Sequence, residues 1–202
     1  MKKYGSIFLE AVLAGISIAI GGIIYLSLDN KVIGALMFTV GLYGIVLNGL
    51  YLYTGKIGYL VEQEDKKSYL GLLLTTWLGN LAGTMIAAAT VSVTRIRGIS
   101  EKAAGLCDTK LADTPGSVFV LAIFCGILMY VAVDGFREKG NPLILFLCVS
   151  VFILSSFEHC VANMFYFAAA GAWSGKTIIY LILMTLGNSV GGMLIPAVKR
   201  LR

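Results

Sequence analysis

The chain is 202 residues long, 58% hydrophobic and 13% charged, with a formal net charge of +5 and a mean hydropathy of +0.87. That composition excludes an ordinary soluble domain and marks an integral membrane protein. The positive charge is scattered over loops and ends, with no basic patch interleaved with aromatics, which excludes a nucleic-acid surface.

The N-terminus carries Lys2 and Lys3. The first apolar segment runs from about Ile7 to Leu28, with Glu10 in its first turns and a small-residue face of Gly15, Gly21 and Gly22. It is too long for the core of a cleavable signal. Asp29-Asn30-Lys31 reads as a turn. The second segment, from Val32 to about Val61, would make ~45 Å of straight helix, more than the ~30 Å hydrocarbon core holds. Gly49 and Gly55 bracket polar and aromatic residues within it, so a break is expected near Asn48 to Lys56. Glu62 to Lys67 is a charged loop, Ser68 to Thr94 a third segment, and Arg95 to Asp113 a longer polar loop. The fourth segment is Thr114 to about Phe136, with Asp134 at its end, followed by a turn at Gly140-Asn141-Pro142.

The fifth segment is the most unusual. Between Lys139 and Lys176 lie 36 residues with one acid, Glu158, and one imidazole, His159, the latter the one histidine of the chain. As one straight helix the run would span ~54 Å. A break beside Glu158 and His159 would place free backbone ends at membrane depth, where they are tolerated only in a protein-lined or watery cavity. The sixth segment, Thr177 to Val198, ends in the basic tail Lys199-Arg200-Leu201-Arg202.

Six spans put both termini on one side. With the termini in the cytoplasm, ten lysines and arginines face inward and six outward, which favours that orientation and a multi-pass protein of the cell membrane. Cys107, Cys125, Cys148 and Cys160 form no CxxC pair, so neither a disulfide framework nor a zinc site is expected, and nothing in the sequence asks for a cofactor.

An internal repeat organises these segments. Leu78-Gly79-Asn80-Leu81-Ala82-Gly83-Thr84-Met85 reads against Leu186-Gly187-Asn188-Ser189-Val190-Gly191-Gly192-Met193, and each copy follows a broken segment. Two halves of three spans, about 1–94 and 114–202, must be inverted relative to each other, because an odd number of crossings reverses direction. Paired broken helices in inverted halves point to a permeation or binding site at the midplane.

The stretch Phe157-Glu158-His159-Cys160-Val161-Ala162-Asn163-Met164-Phe165 is similar to the FEHxxANMF signature of the formate/nitrite transporter family. Leu52-Tyr53-Thr54 resembles that family's short loop breaking the second helix, and the Leu-Gly-Asn motifs at Asn80 and Asn188 fit its third and sixth helices. The resemblance implies an all-α, aquaporin-like fold and a homopentamer in the lipid bilayer. Each protomer would then have its own pore for small monovalent anions. The compact size and short loops look most like the hydrosulfide channel branch, with formate, nitrite and chloride as further candidate substrates. Carried over by position, His159 lines the pore and Thr54 is its hydrogen-bond partner. Phe38 and Phe152 match one apolar constriction, and Leu42, Tyr53 and Val133, with Leu52 beside them, the other. Asn163 supports the histidine or the breaks. The chain departs from the pattern where Tyr53 replaces a phenylalanine and Tyr130 an asparagine, and no residue firmly matches the lysine that often precedes the fourth helix; Lys110 is only nearby.

The residues carry their own physical readings. An imidazole at mid-membrane is by default a functional group rather than a structural one. Hydrosulfide, formate and nitrite are bases of weak acids, so protonation gives neutral species that cross an apolar ring; chloride could not use that route. Glu158 points about 100° away from its neighbour on a helix and is expected to satisfy backbone N–H groups at the start of the second half-helix. Asn163, four residues after His159, either orients the imidazole or bonds freed backbone. Asn80 and Asn188 are expected to bond the backbone of the breaks. Thr54 bonds either its own i−4 carbonyl or His159. Tyr4, Tyr69, Trp77 and Trp173 suit interfacial or packing roles. Two other classes compete. An intramembrane serine protease would need Ser155 or Ser174 beside the histidine, and Ser174 sits near a membrane edge. A neutral aquaporin-type pore would carry two Asn-Pro-Ala motifs, and the one Asn-Pro, Asn141-Pro142, lies in a turn.

Overall fold

Short polar side chains set where the helices begin. Asn30 accepts hydrogen bonds from the Val32 and Ile33 N–H groups, Asp65 from Ser68, Thr114 from Ser117 and Ser174 from Thr177, each satisfying an otherwise orphaned donor. In this computed structural model, which describes residues 4–201, the elements in chain order are α1 (Tyr4–Ser27), α2 (Lys31–Leu47), α3 (Tyr53–Lys56) running into a 3-10 helix (Ile57–Glu62), α4 (Lys66–Ser92), α5 (Ile99–Ala112), α6 (Pro115–Lys139), α7 (Leu143–Leu154), α8 (Cys160–Ala169) and α9 (Gly175–Lys199). Among the loop charges counted above, Lys2, Lys3 and Arg202 lie outside the described residues. Helices α1, α4, α6 and α9 are long and apolar enough to cross a membrane, and α2, α7 and α8 are shorter apolar helices.

Both over-long apolar segments are interrupted. The second divides between α2 and α3, turning at Gly49 with φ +63°. The fifth divides between α7 and α8, turning at Ser156 with φ +55°, a left-handed conformation unusual for a residue other than glycine. The stretch from Arg95 to Asp113 corrects the sequence reading: it contains a helix, α5, rather than only a polar loop. Its buried residues Ile99, Ala103 and Cys107 recur every fourth position, a helical face that its polar composition hides.

The long helices pack by size rather than by polarity. On α1 the buried face is Ala11, Ala14, Gly15 and Ile18, while Leu9, Leu13 and Ile20 point outward. Without a hydrophobic contrast between lipid and protein, close backbone approach through small residues drives such contacts. Helix α1 runs along α4 and α6 along α9. A Cβ added at Gly83 would overlap the Val12 carbonyl oxygen, and one at Gly191 the Ile123 carbonyl oxygen, so both contacts require glycine. The equivalence extends along the interfaces, Gly79 meeting Ala11 as Gly187 meets Ala122. At one end of the bundle Lys102 pairs with Asp29, and the Tyr180 hydroxyl donates to the Asp113 carbonyl. At the other end Lys199 pairs with Asp134 and Arg200 reaches the Val61 carbonyl.

Candidate functional site

The two breaks are held open by two asparagines. From α4, Asn80 Nδ2 donates to the carbonyls of Ala11 and Tyr51, at 2.8 and 2.9 Å, while its Oδ1 accepts from the Tyr53 N–H at 2.9 Å. From α9, Asn188 Nδ2 donates to the carbonyls of Ala122 and Glu158, at 2.8 and 2.7 Å, and its Oδ1 accepts from the Cys160 N–H at 2.9 Å. Each amide thus ties a long helix to both sides of a break. Both side chains are fully buried, where an unpaired backbone group would be costly.

His159 stands at the start of α8 and caps it. Its Nδ1 accepts from the Ala162 N–H at 3.0 Å. This corrects the expectation for Glu158, because the imidazole and not the carboxylate satisfies the helix donor. The tautomer follows: with Nδ1 occupied as an acceptor, the proton of the neutral ring sits on Nε2. Nε2 lies 2.8 Å from Thr54 Oγ1 on α3, so the ring donates to the threonine and Thr54 keeps its own hydroxyl proton to offer elsewhere. An imidazolium would turn Nδ1–H toward the Ala162 donor and lose the cap. The ring also stacks on Phe152, with centroids 5.6 Å apart, and Phe152 meets Phe38 edge-on at 6.2 Å.

A cavity lies toward each end of α2. The one at the α5 end, of about 160 Å³, is lined by Phe38, Phe152, His159, Glu158, Asn163 and Lys110 among others. The one at the opposite end, of about 210 Å³, is lined by Leu42, Leu52, Val133, Lys56, Tyr59 and Arg137 among others. Phe38 and Phe152 therefore fall on one side of the Thr54–His159 pair, and Leu42, Leu52 and Val133 on the other. Tyr53 borders neither cavity. Its hydroxyl reaches away to Ser189 on α9, at 2.8 Å, a partner that a phenylalanine here would not need.

Glu158 and Asn163 form a separate polar group. Glu158 Oε2 accepts from Asn163 Nδ2 at 2.7 Å and from Lys110 Nζ at 2.6 Å. Asn163 bonds neither the imidazole nor freed backbone, the two readings its spacing suggested, and its buried Oδ1 has no protein partner. Lys110 is the residue that sequence reasoning placed only nearby. The signal was present: it follows Cys107 by three positions on the buried face of α5. The Lys110 and Glu158 side chains are 14% and 5% exposed, so removing one partner strands the other's charge. Lys110→Met should cost about 3–5 kcal/mol of stability. The double variant Lys110→Met/Glu158→Gln should recover much of that loss, as read from thermal unfolding in detergent; equal losses in the single and double variants would refute the pairing.

Membrane-length helices enclosing two interrupted segments, whose tips meet in a buried polar pair with a cavity toward each end, define a membrane channel or transporter. Residues 1–200 match the family model described as formate/nitrite transporter, and the chain belongs to that family, whose members are transporters and channels rather than enzymes. It is similar to the formate channel FocA of Haemophilus influenzae, 26% identical over 92% of this chain and 82% of that one. It is also similar to a probable formate transporter of Methanothermobacter thermautotrophicus, 29% identical over 96% and 86%, and to the nitrite transporter NirC of Salmonella typhimurium, 27% identical over 92% and 78%. Among solved structures, a pentameric formate channel with formate bound superposes with a TM-score of 0.86, at 27% identity over 98% of this chain and 96% of that one.

Proposed function

We propose that this protein conducts small monovalent anions of weak acids, formate, nitrite and hydrosulfide, through one pore per protomer passing the Thr54–His159 pair. The observation that carries the reading is that pair itself: one hydroxyl donor held by the imidazole, joined across the two breaks and flanked by Phe38 and Phe152 toward one cavity and by Leu42, Leu52 and Val133 toward the other. Apolar rings exclude hydrated ions, and a bare anion between them is strongly disfavoured. The neutral imidazole supplies no countercharge, so the solute crosses as its conjugate acid, with the Thr54 hydroxyl donating to it at the midpoint and His159 holding that hydroxyl in place. Hydrosulfide is included because the compact size and short loops resemble the hydrosulfide channel branch of the family, formate and nitrite because of the names of the relatives.

The recurring asparagine and glycine contacts support two halves, about 1–94 and 114–202, each of three crossings and inverted relative to the other. In that arrangement α2 with α3, and α7 with α8, complete six spans, both termini lie in the cytoplasm, and the protein resides in the cell membrane. The outward apolar faces of α1, α4 and α9 suit lipid and neighbouring protomers of a homopentamer.

The test is solute flux in proteoliposomes. Formate, nitrite and hydrosulfide should enter at rates that rise with the proton concentration on the loading side, and chloride should not enter. Equal rates across pH would overturn the conjugate-acid route. Passage of uncharged solutes alone would make the protein a neutral pore instead.

A further inference from the structure

The two cavities differ in charge. At the α5 end, Lys110 shares the lining with Asp113 and with Glu158, the carboxylate it is bonded to. At the opposite end, the charged residues of the lining are Lys56 and Arg137, with no carboxylate. Arg137 stands at the C-terminal turn of α6, and its guanidinium lies 4.8 Å from the centre of the Tyr59 ring. A face-on ring holds the cation without using its in-plane N–H donors. Two acids lie near it, Asp134 and Glu62. Asp134 accepts from the Tyr59 hydroxyl at 3.1 Å and pairs with Lys199 at 3.3 Å. Glu62 borders an adjoining cavity that Arg137, Lys56 and Tyr59 also line. Lys56 sits over Tyr51, 4.9 Å from the ring centre.

We propose that Arg137 is an anion-capture and specificity residue at this mouth, selecting planar monovalent oxyanions over spherical ones. The proposal rests on the transport reading above. The guanidinium offers parallel donors in a rigid fork, which match two oxygens on one carbon or nitrogen. Formate and nitrite present that pair of oxygens; hydrosulfide and chloride do not. Captured there, the oxyanion waits beside Leu42, Leu52 and Val133 for the proton that lets it pass. The other mouth, where the lysine is bonded to a carboxylate, has no equivalent fork, so loading is asymmetric.

The test is the half-saturating concentration for uptake, measured in right-side-out and inverted membrane vesicles from expressing cells. Arg137→Gln should raise the value for formate and nitrite roughly fivefold when they are loaded from the Arg137 end. It should leave the value from the other end unchanged. Arg137→Lys should not restore the value for formate or nitrite, because it returns the charge without the fork. Saturable formate uptake that Arg137→Gln leaves unchanged, or shifts equally from both ends, would overturn the capture site alone. No formate, nitrite or hydrosulfide uptake by the wild-type protein would overturn the transport reading and the capture site with it.

Discussion

Asn188→Leu is expected to lower the unfolding temperature in detergent sharply and to reduce the folded yield. Leucine fills a similar volume but removes the partners of three backbone groups, the carbonyls of Ala122 and Glu158 and the N–H of Cys160. Stranding a buried donor or acceptor costs about 1–3 kcal/mol each, so the total is on the order of 5 kcal/mol. Water cannot repair the loss at membrane depth. Asn80→Leu should cost a comparable amount, because its side chain makes the same three kinds of bond to Ala11, Tyr51 and Tyr53. Asn188→Asp is the sharper test. It keeps the acceptor for Cys160 but replaces the doubly donating amide nitrogen with one oxygen facing two carbonyls, so it should be no better than leucine. Near-wild-type unfolding of all three variants would mean that the breaks are held by helix packing alone.

The asparagines also show what a sequence reveals here. Leu-Gly-Asn recurs because each copy performs one geometric task, close glycine packing plus an amide for the break, and a task done twice leaves a visible repeat. The two breaks were legible for a simpler reason, since an apolar run longer than a membrane is thick must fold back or bend. Other features left no such trace. The burial of α1 is invisible to hydrophobic periodicity, because its lipid face and its protein face are both apolar. Helix α5 was hidden by polar residues that face outward while every fourth residue faces in. The roles of Glu158 and Asn163 depend on Lys110, 48 positions before Glu158, and spacing along one helix cannot anticipate a partner from another. Tyr53 read as an aromatic ring at a constriction, yet its hydroxyl is drawn to Ser189 on α9, a contact that only the tertiary fold creates.

His159 performs two tasks, and a pair of substitutions separates them. Alanine removes both the Nδ1 cap of α8 and the Nε2 contact to Thr54. Asparagine is among the best helix-capping residues, and its side-chain oxygen can take over from Nδ1 in accepting the Ala162 N–H. It is too short to keep the bond that Nε2 makes. His159→Ala should therefore lose about 1 kcal/mol of stability, whereas His159→Asn should unfold at nearly the wild-type temperature. In flux assays the two should fail alike. Without the Nε2–H donor the Thr54 hydroxyl is no longer held toward the solute, and loss of a hydrogen bond of about 1.4 kcal/mol slows weak-acid passage roughly tenfold. A stable asparagine variant with re-ranked or slowed formate, nitrite and hydrosulfide flux would place selectivity at the imidazole. An asparagine variant that transports at wild-type rates while alanine fails would make His159 a helix cap and nothing more, and would move the selective step to the apolar rings on either side.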